Sequence, residues 1–277
     1  MKLVFARREW LLFLAMLALG TSGGGATNLI PSLSPAQIMR KALERTQQME
    51  SDLGRPDYAY TKLSITEELD DKGRIKDRKE KRYQVLFHSG LSYLKLMKVE
   101  GQNLSAAELR KQEDHELAER QKLTQTKFAK GGDNRENFLT PELVAKYRFS
   151  LIGSECIHGR PAYELRFEPK APDLAIKQMI DRLLNHLSGT VWIDEEEFEI
   201  AKAEIHLDSE VTLWRGVLAS LKRFTLSLER TRIDDGIWFN RATTGDFEGR
   251  RLLDPTRIRI KSESNNFRKL SSSDGID

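Results

Sequence analysis

Apolar and polar positions change period several times along the chain, and each change marks an element. Ile38, Ala42, Thr46 and Met49, with Leu43 beside them, recur at helical spacing among Arg40, Lys41, Glu44 and Arg45. That pattern predicts a helix with one packed face and one wet face. Ser34-Pro35-Ala36-Gln37 supplies a capping box with proline at the first helical position, and Gly54-Arg55-Pro56 ends the helix. From Tyr58 the period becomes two, and short alternating runs are separated by turn residues. Tyr58 to Leu69, Arg74 to Phe87 and Leu91 to Val99 read as a three-strand meander joined at Asp70-Asp71-Lys72-Gly73 and Ser89-Gly90.

Ser105 and Glu108 then form a second capping box before a mostly charged helix running to about Gln121, followed by a loop at Gly131-Gly132-Asp133-Asn134. Thr140-Pro141 opens a short helix over Glu142 to Tyr147. Strand patterning returns at Phe149 to Gly153, turns through Ser154 to Arg160, and runs back over Pro161 to Glu168. Between Asp173 and Leu187, Ile176, Met179, Ile180, Leu183, Leu184 and Leu187 follow helical spacing. Further strands follow over Gly189 to Asp194, Phe198 to Leu207, Lys222 to Ile233, Ile237 to Phe247 and Thr256 to Arg268. Between two of them, Val211, Trp214, Val217, Leu218 and Leu221 predict an apolar helical connector over Ser209 to Phe224. It would plug the core, cap the mouth of a barrel or touch a bilayer surface. The sum is an α+β chain dominated by one large curved antiparallel sheet of about ten strands.

The first residues change the picture. Lys2, Arg7 and Arg8 precede an apolar run from Trp10 to Leu19 and a small-residue stretch from Gly20 to Ala26. Those are the three parts of a secretory signal peptide, and the run is about half of the ~20 residues a membrane span needs. Cleavage near Ser22 or Ala26 is expected. Cutting after Ala26 removes three bases and one acid, so the formal charge falls from +3 to +1. A nearly neutral chain lacks the field that drives counterion-release binding to nucleic acid. The sole cysteine, Cys156, allows no internal disulfide, and no cysteine near the cleavage site could take a lipid anchor. A periplasmic location follows as the expectation. One domain over 27–269 is expected, with a helical insertion near 104–147 and a disordered tail over 270–277.

The hairpin residues Gly159-Arg160-Pro161-Ala162-Tyr163-Glu164-Leu165, then Val191-Trp192-Ile193-Asp194, then Asp235-Gly236-Ile237-Trp238-Phe239, occur in a fixed order behind a signal peptide, an N-terminal helix and a meander. This order resembles the outer-membrane lipoprotein-sorting (LolA-like) superfamily of periplasmic proteins. The resemblance implies an unclosed β-barrel wrapped around helices, whose hydrophobic concavity holds acyl chains of lipids or lipoproteins. The chain is longer than the sorting factors and carries the charged insertion.

In such a concavity the bulky residues are the candidate ligand contacts. They are Tyr58, Tyr60, Tyr83, Phe87, Leu94 and Leu96 from the meander, Met179 and Leu183 from the amphipathic helix, and Trp192, Trp214, Leu218, Phe224 and Trp238 from the later strands. In Leu91 to Met97 and Ile237 to Phe239 large apolar residues fall on both faces, as a sheet covered on both sides requires. Each of them also fits a simple role in the core.

Other chemistry is poorly supplied. His88, His115, His158, His186 and His206 include no pair at metal-ligand spacing, and Cys156-Ile157-His158 reads as a turn rather than a zinc site. No Gly-x-Ser-x-Gly elbow or phosphate-cradling glycine loop occurs in the mature chain. The acids of Asp194-Glu195-Glu196-Glu197 and Asp234-Asp235 sit at turns, where carboxylates are ordinarily solvated. The basic strand Arg74 to Arg82, and Arg250, Arg251, Arg257, Arg259 and Lys261, would meet anionic head groups if adjacent, or else keep sheet edges soluble. The expected function is a non-enzymatic periplasmic carrier or sensor of a lipid, acyl chain or lipidated protein, without cofactor or metal and with peripheral membrane contact. The alternatives are a regulatory or scaffolding module with a filled core and, more distantly, a hydrolase of envelope polymers.

Overall fold

The computed structural model describes residues 33–51, 57–88, 91–111, 139–170, 179–213, 219–233, 236–251 and 254–270. The chain divides into two units, Met1–Leu33 and Ser34–Asp277, and the description below concerns the second. The signal-peptide segment, the loop at 131–134, Trp214, Leu218 and the tail after Leu270 lie outside the described residues.

Helix α1 spans Pro35–Ser51. Its start is the expected capping box: Gln37 N–H donates to Ser34 Oγ at 3.3 Å and Ser34 N–H to Gln37 Oε1 at 2.8 Å. Ile38, Met39 and Ala42 are 0–2% exposed, so the helix is held by the burial of that stripe. Strands β1 (Tyr58–Leu69), β2 (Ile75–His88) and β3 (Leu91–Val99) form the meander, extended by the two-residue β4 (Gln102–Asn103). At the first turn Asp70 accepts from the N–H groups of Lys72 and Arg74, both at 2.9 Å. Helix α2 starts at 106 behind the Ser105–Glu108 box and is described to 111. Helix α3 (Pro141–Lys146) is capped by Thr140, which accepts from Leu143 N–H at 3.2 Å.

Strands β5 (Tyr147–Ile157) and β6 (Arg160–Pro169) follow, then helix α4 (Met179–Leu184), β7 (Leu187–Asp194), β8 (Ile200–Leu207), β9 (Val211–Leu213), β10 (Ala219–Arg232), β11 (Trp238–Arg251) and β12 (Asp254–Lys269). All twelve strands belong to one antiparallel sheet in the order β4-β3-β2-β1-β12-β11-β10-β8-β7-β6-β5, with β9 paired to β10. The sheet is not closed. Its two ends are β4 with β3, and β5.

Several boundaries differ from the sequence expectation: β8 starts at Ile200, β10 at Ala219 and β12 at Asp254, and β11 runs on to Arg251. Ser154 to Cys156 are strand, and the β5–β6 turn is only His158-Gly159. Both residues have positive φ, +50° and +82°, the requirement of a two-residue hairpin turn whose twist matches its strands. Tyr147 belongs to β5 and not to the helix before it. Leu187 opens β7 and does not end the preceding helix. Over Ser209 to Phe224, Val211 and Leu221 face each other across β9 and β10. The two ends of the expected helical connector are therefore paired strands, while Trp214, Val217 and Leu218 lie outside the described residues.

Candidate binding face

Register and alternation divide the sheet into two faces. Tyr60 pairs with Val85, and Lys62 with Tyr83 and with Ser264. Ser262 and Ile260 of β12 pair with Thr243 and Gly245 of β11, whose neighbours on β10 are Leu228 and Leu226. Leu226 and Leu228 pair with Ile205 and Ala203 of β8, and these with Gly189 and Val191 of β7. Val191 and Gly189 continue to Leu165 and Phe167, and then to Leu151 and Phe149. One face thus carries an apolar or small residue at almost every step across the sheet.

Two glycines on this face sit hard against neighbouring backbone. A Cβ built on Gly189 would lie 1.9 Å from the Glu204 carbonyl oxygen, and one on Gly249 2.2 Å from that of Ser220. Neighbouring strands coil so tightly there that no side chain fits between them. At Gly245 a Cβ would meet Phe247 and Ile260 side chains at 3.0–3.3 Å. The two side chains close over the glycine and bury it.

Coverage of the face is uneven. Tyr58, Tyr60, Val85, Ile237 and Phe239 form a cluster 1–4% exposed, with Tyr83, Ile233 and Phe267 packed against it. Ring centroids of Tyr58 and Tyr60 lie 5.5 and 5.4 Å from that of Phe239, so this wall is filled. Leu165, Val191 and Ile193 are likewise buried. By contrast Phe224, Leu226, Phe247, Ile258 and Ile260 are only half-buried. Phe224 and Phe247 meet edge to face at 5.1 Å. This strip, on β10, β11 and β12, is a half-exposed apolar stretch of the face; Leu94 and Leu151, on the same face, are 39% and 36% exposed.

The expected ligand contacts divide between the two faces. Tyr58, Tyr60 and Tyr83 are brought together in the filled wall. Leu94, 39% exposed, and Leu96 join the same face through their pairing with Val85 and Tyr83. Phe224 lies in the open strip, and Leu183 is half-buried on α4. The side chains of Phe87 and Met179 are outside the described residues. Trp192 points to the opposite face, opposite Lys202 and Glu164. Its ring lies under the Lys202 ammonium at 4.3 Å, and its Nε1 donates to Glu155 at 2.7 Å. Trp238 packs with it, and with Ile157, Ala162 and Ala201, in a second cluster. Ile258, Ile260, Leu226 and Phe247 were absent from the sequence candidates, although the alternation of Ile258 and Ile260 between Arg257, Arg259 and Lys261 places both on one face.

The acidic turn after β7 departs from its expected solvation. Asp194 is 0% exposed and Glu199 6%. Asp194 accepts from Arg160 Nε at 2.6 Å and Nη2 at 2.9 Å, and from the N–H groups of Glu197 at 2.8 Å and Glu196 at 3.1 Å. Burial by itself would raise the Asp194 pKa, but the Arg160 and backbone hydrogen bonds outweigh it and hold the carboxyl below its ordinary value. Glu197 accepts from Trp238 Nε1 at 2.6 Å and Arg232 Nε at 2.7 Å. Glu199 lies 2.9 Å from Arg230 and 3.3 Å from Arg45, which ties α1 to β10. The three motifs that carry the family resemblance therefore converge: Arg160 grips Asp194 and lies 5.9 Å over the Trp238 ring.

The basic strips are laced with acids. Strand β1 separates β2 from β12, and its Glu67 lies 3.9 Å from Arg78 and 3.5 Å from Arg259, which also pairs with Asp246 at 3.1 Å. A 280 Å³ cavity among Leu69, Gly73, Arg223, Thr225, Asp246, Phe247, Glu248, Arg257 and Arg259 is walled largely by such pairs, Arg257 holding Glu248 at 2.7 Å. Its charge suits no acyl chain. Cys156 is exposed, and His158 lies 3.4 Å from Glu229. Among the described residues no three His, Cys, Asp or Glu side chains gather to hold a metal, and no helix is long and apolar enough to cross a membrane.

No family model matches the chain. No curated protein matches it either. Among solved structures it is similar to a LolA superfamily protein from Nitrosomonas europaea, with 15% identity, TM-score 0.33, and 87% of this chain and 97% of that one covered. An outer membrane lipoprotein-sorting protein domain from Vibrio parahaemolyticus aligns at 14% identity and TM-score 0.34, over 85% and 96% of the two chains. The MucA/MucB complex of Pseudomonas aeruginosa aligns at 9% identity and TM-score 0.27, over 84% and 100%. Two of these neighbours carry the superfamily name that the strand motifs resemble. Alignments this loose carry no functional argument, which rests on the residues.

Proposed function

We propose that the chain is an exported, non-enzymatic carrier or sensor that binds the acyl chain of a lipid or lipidated protein along the open strip of its apolar face. The supporting observation is the half-buried row Phe224, Leu226, Phe247, Ile258 and Ile260 beside a wall that is already filled. Methylenes laid on that row gain about 0.8 kcal/mol each when fully buried, so affinity grows with chain length. The signal-peptide pattern supports the periplasm as the site of action. Native mass spectrometry of the exported protein, with and without added palmitate or lysophospholipid, tests the proposal. One bound lipid that denaturation releases is expected, and Ile258→Ser with Ile260→Ser should weaken uptake by roughly tenfold. Failure to take up either probe overturns the carrier reading.

The filled aromatic wall favours a second reading. With Tyr58, Tyr60 and Phe239 sealed against one another, the same fold serves as an interaction module that recruits a partner by its surface. A chain that binds no lipid and yet retains an envelope protein partner would have that function.

A further inference from the structure

We propose that two copies of this chain pair along strand β5 about a two-fold axis between Leu151 and Ile152, joining their sheets edge to edge. Among the described residues β5 pairs only with β6, which leaves the middle of its outer edge without a strand partner there. Ser150 to Cys156 are all exposed, and Leu151 and Ile152, at 36% and 48%, put two large apolar side chains at its middle.

The partner follows from the register. Leu151 pairs with Leu165 but Gly153 with Glu164, so Ile152 is an extra residue in β5. Because of it, Arg148 and Glu155, seven residues apart, lie on one face: they pair with Glu168 and Ala162, which share a face of β6. Arg148 lies 2.9 Å from Glu168, and Trp192 Nε1 holds Glu155 at 2.7 Å on that same side.

An antiparallel copy centred between Leu151 and Ile152 sets Arg148 opposite the second copy's Glu155, Phe149 opposite Ser154, Ser150 opposite Gly153 and Leu151 opposite Ile152. The first three pairs each share a face, both charge pairs are attractive, and each copy's extra residue, Ile152, meets Leu151 of the other. The other end of the sheet lacks this symmetry. Strand β3 carries Lys95 and Lys98 and no acid, and β4 covers its last residues, the charged and capped edge that resists pairing.

A single strand pair buries less than a standard interface, so the dimer should form reversibly at micromolar or higher concentration. Sedimentation velocity of the full chain across that range is the test. Arg148→Glu sets one carboxylate against another, that of Glu155, twice per dimer and should weaken association by roughly tenfold. Ile152→Lys, at an exposed position, should weaken it similarly, and Arg148→Glu with Glu155→Arg should restore it. Should the double variant fail to fold through loss of the Trp192 bond, the two single variants still decide. A chain that stays monomeric across the whole of that range overturns the proposal. So does a dimer that neither Arg148→Glu nor Ile152→Lys weakens, whatever partner strand β5 then accepts.

Discussion

Asp194 shows how a single carboxylate can order a whole corner of the sheet. It ends β7, receives two bonds from an arginine 34 residues earlier and two more from the turn that follows it. An ion pair of this kind is a poor source of net stability, but breaking one partner is costly, because the other is left without its counter-charge. Asp194→Asn keeps the shape and removes the charge, and should cost about 3 kcal/mol in urea unfolding at neutral pH. The pH dependence has a definite sign. The folded carboxyl is held below the ordinary 3.8, so its contribution is complete above that value and is lost as pH falls through the lower folded pKa. The wild-type chain should therefore lose stability more steeply than Asp194→Asn below about pH 4. Equal acid slopes for the two would mean that the Arg160 contact does not set the protonation of Asp194. The sequence concealed this role: an acid followed by three glutamates looks like a solvated turn, and nothing local says that only the first of the four is buried.

At the scale of elements, what the sequence makes legible is what local chemistry decides. The three helix starts at Ser34, Ser105 and Thr140 are visible because a capping side chain and its N–H partner are only three residues apart. Strand β1 is visible because aromatic, β-branched and polar residues intersperse without a helical period from Tyr58, and Leu69 ends it where Asp70 begins a turn. The errors arise where two causes produce one pattern. Val211 and Leu221 fit the spacing of the expected helical connector, yet both are strand residues, because Val211 has a partner on β10 that periodicity cannot see. Ser154-Glu155 is polar because β5 is an edge, not because the chain turns. The curvature is equally hidden, since a glycine in a strand does not say what approaches it. That yields a contrast. Gly189→Ala must push a methyl into the Glu204 carbonyl and should destabilise by about 3 kcal/mol or more. Gly153→Ala meets nothing within 4 Å and should be neutral or stabilising by about 0.5 kcal/mol. Urea midpoints of the two variants check the pair, and similar values would mean that β7 and β8 can separate to admit a side chain.

For the whole molecule the decisive pairing is the one between its first and last strands. Strand β12 lies between β1 and β11, with Leu63 opposite Glu263 and Phe247 opposite Ile258. No hairpin rule predicts a partner two hundred residues away, and this is why the strands were readable while their order in the sheet was not. The consequence is a molecule of two consecutive meanders, β1 to β4 and β5 to β11, that become one sheet only when β12 is inserted. It also contributes Ile258 and Ile260, two of the three aliphatic residues of the open strip, so the seam and the proposed binding row coincide. Closing so long a loop is paid in entropy before any contact rewards it, which makes the seam a slow step of folding. A chain stopped before Asp254 should thus lose cooperative unfolding, because β1 and β11 are left with bare edges and the aromatic wall loses Phe267. The C-terminal strand added as a separate peptide, 254–270, should restore a cooperative transition and the lipid uptake together. Circular dichroism melts with and without that peptide make the comparison. A truncated chain that still melted as one sharp transition would show that each meander is stable alone, and would leave β12 the role of completing the binding face only.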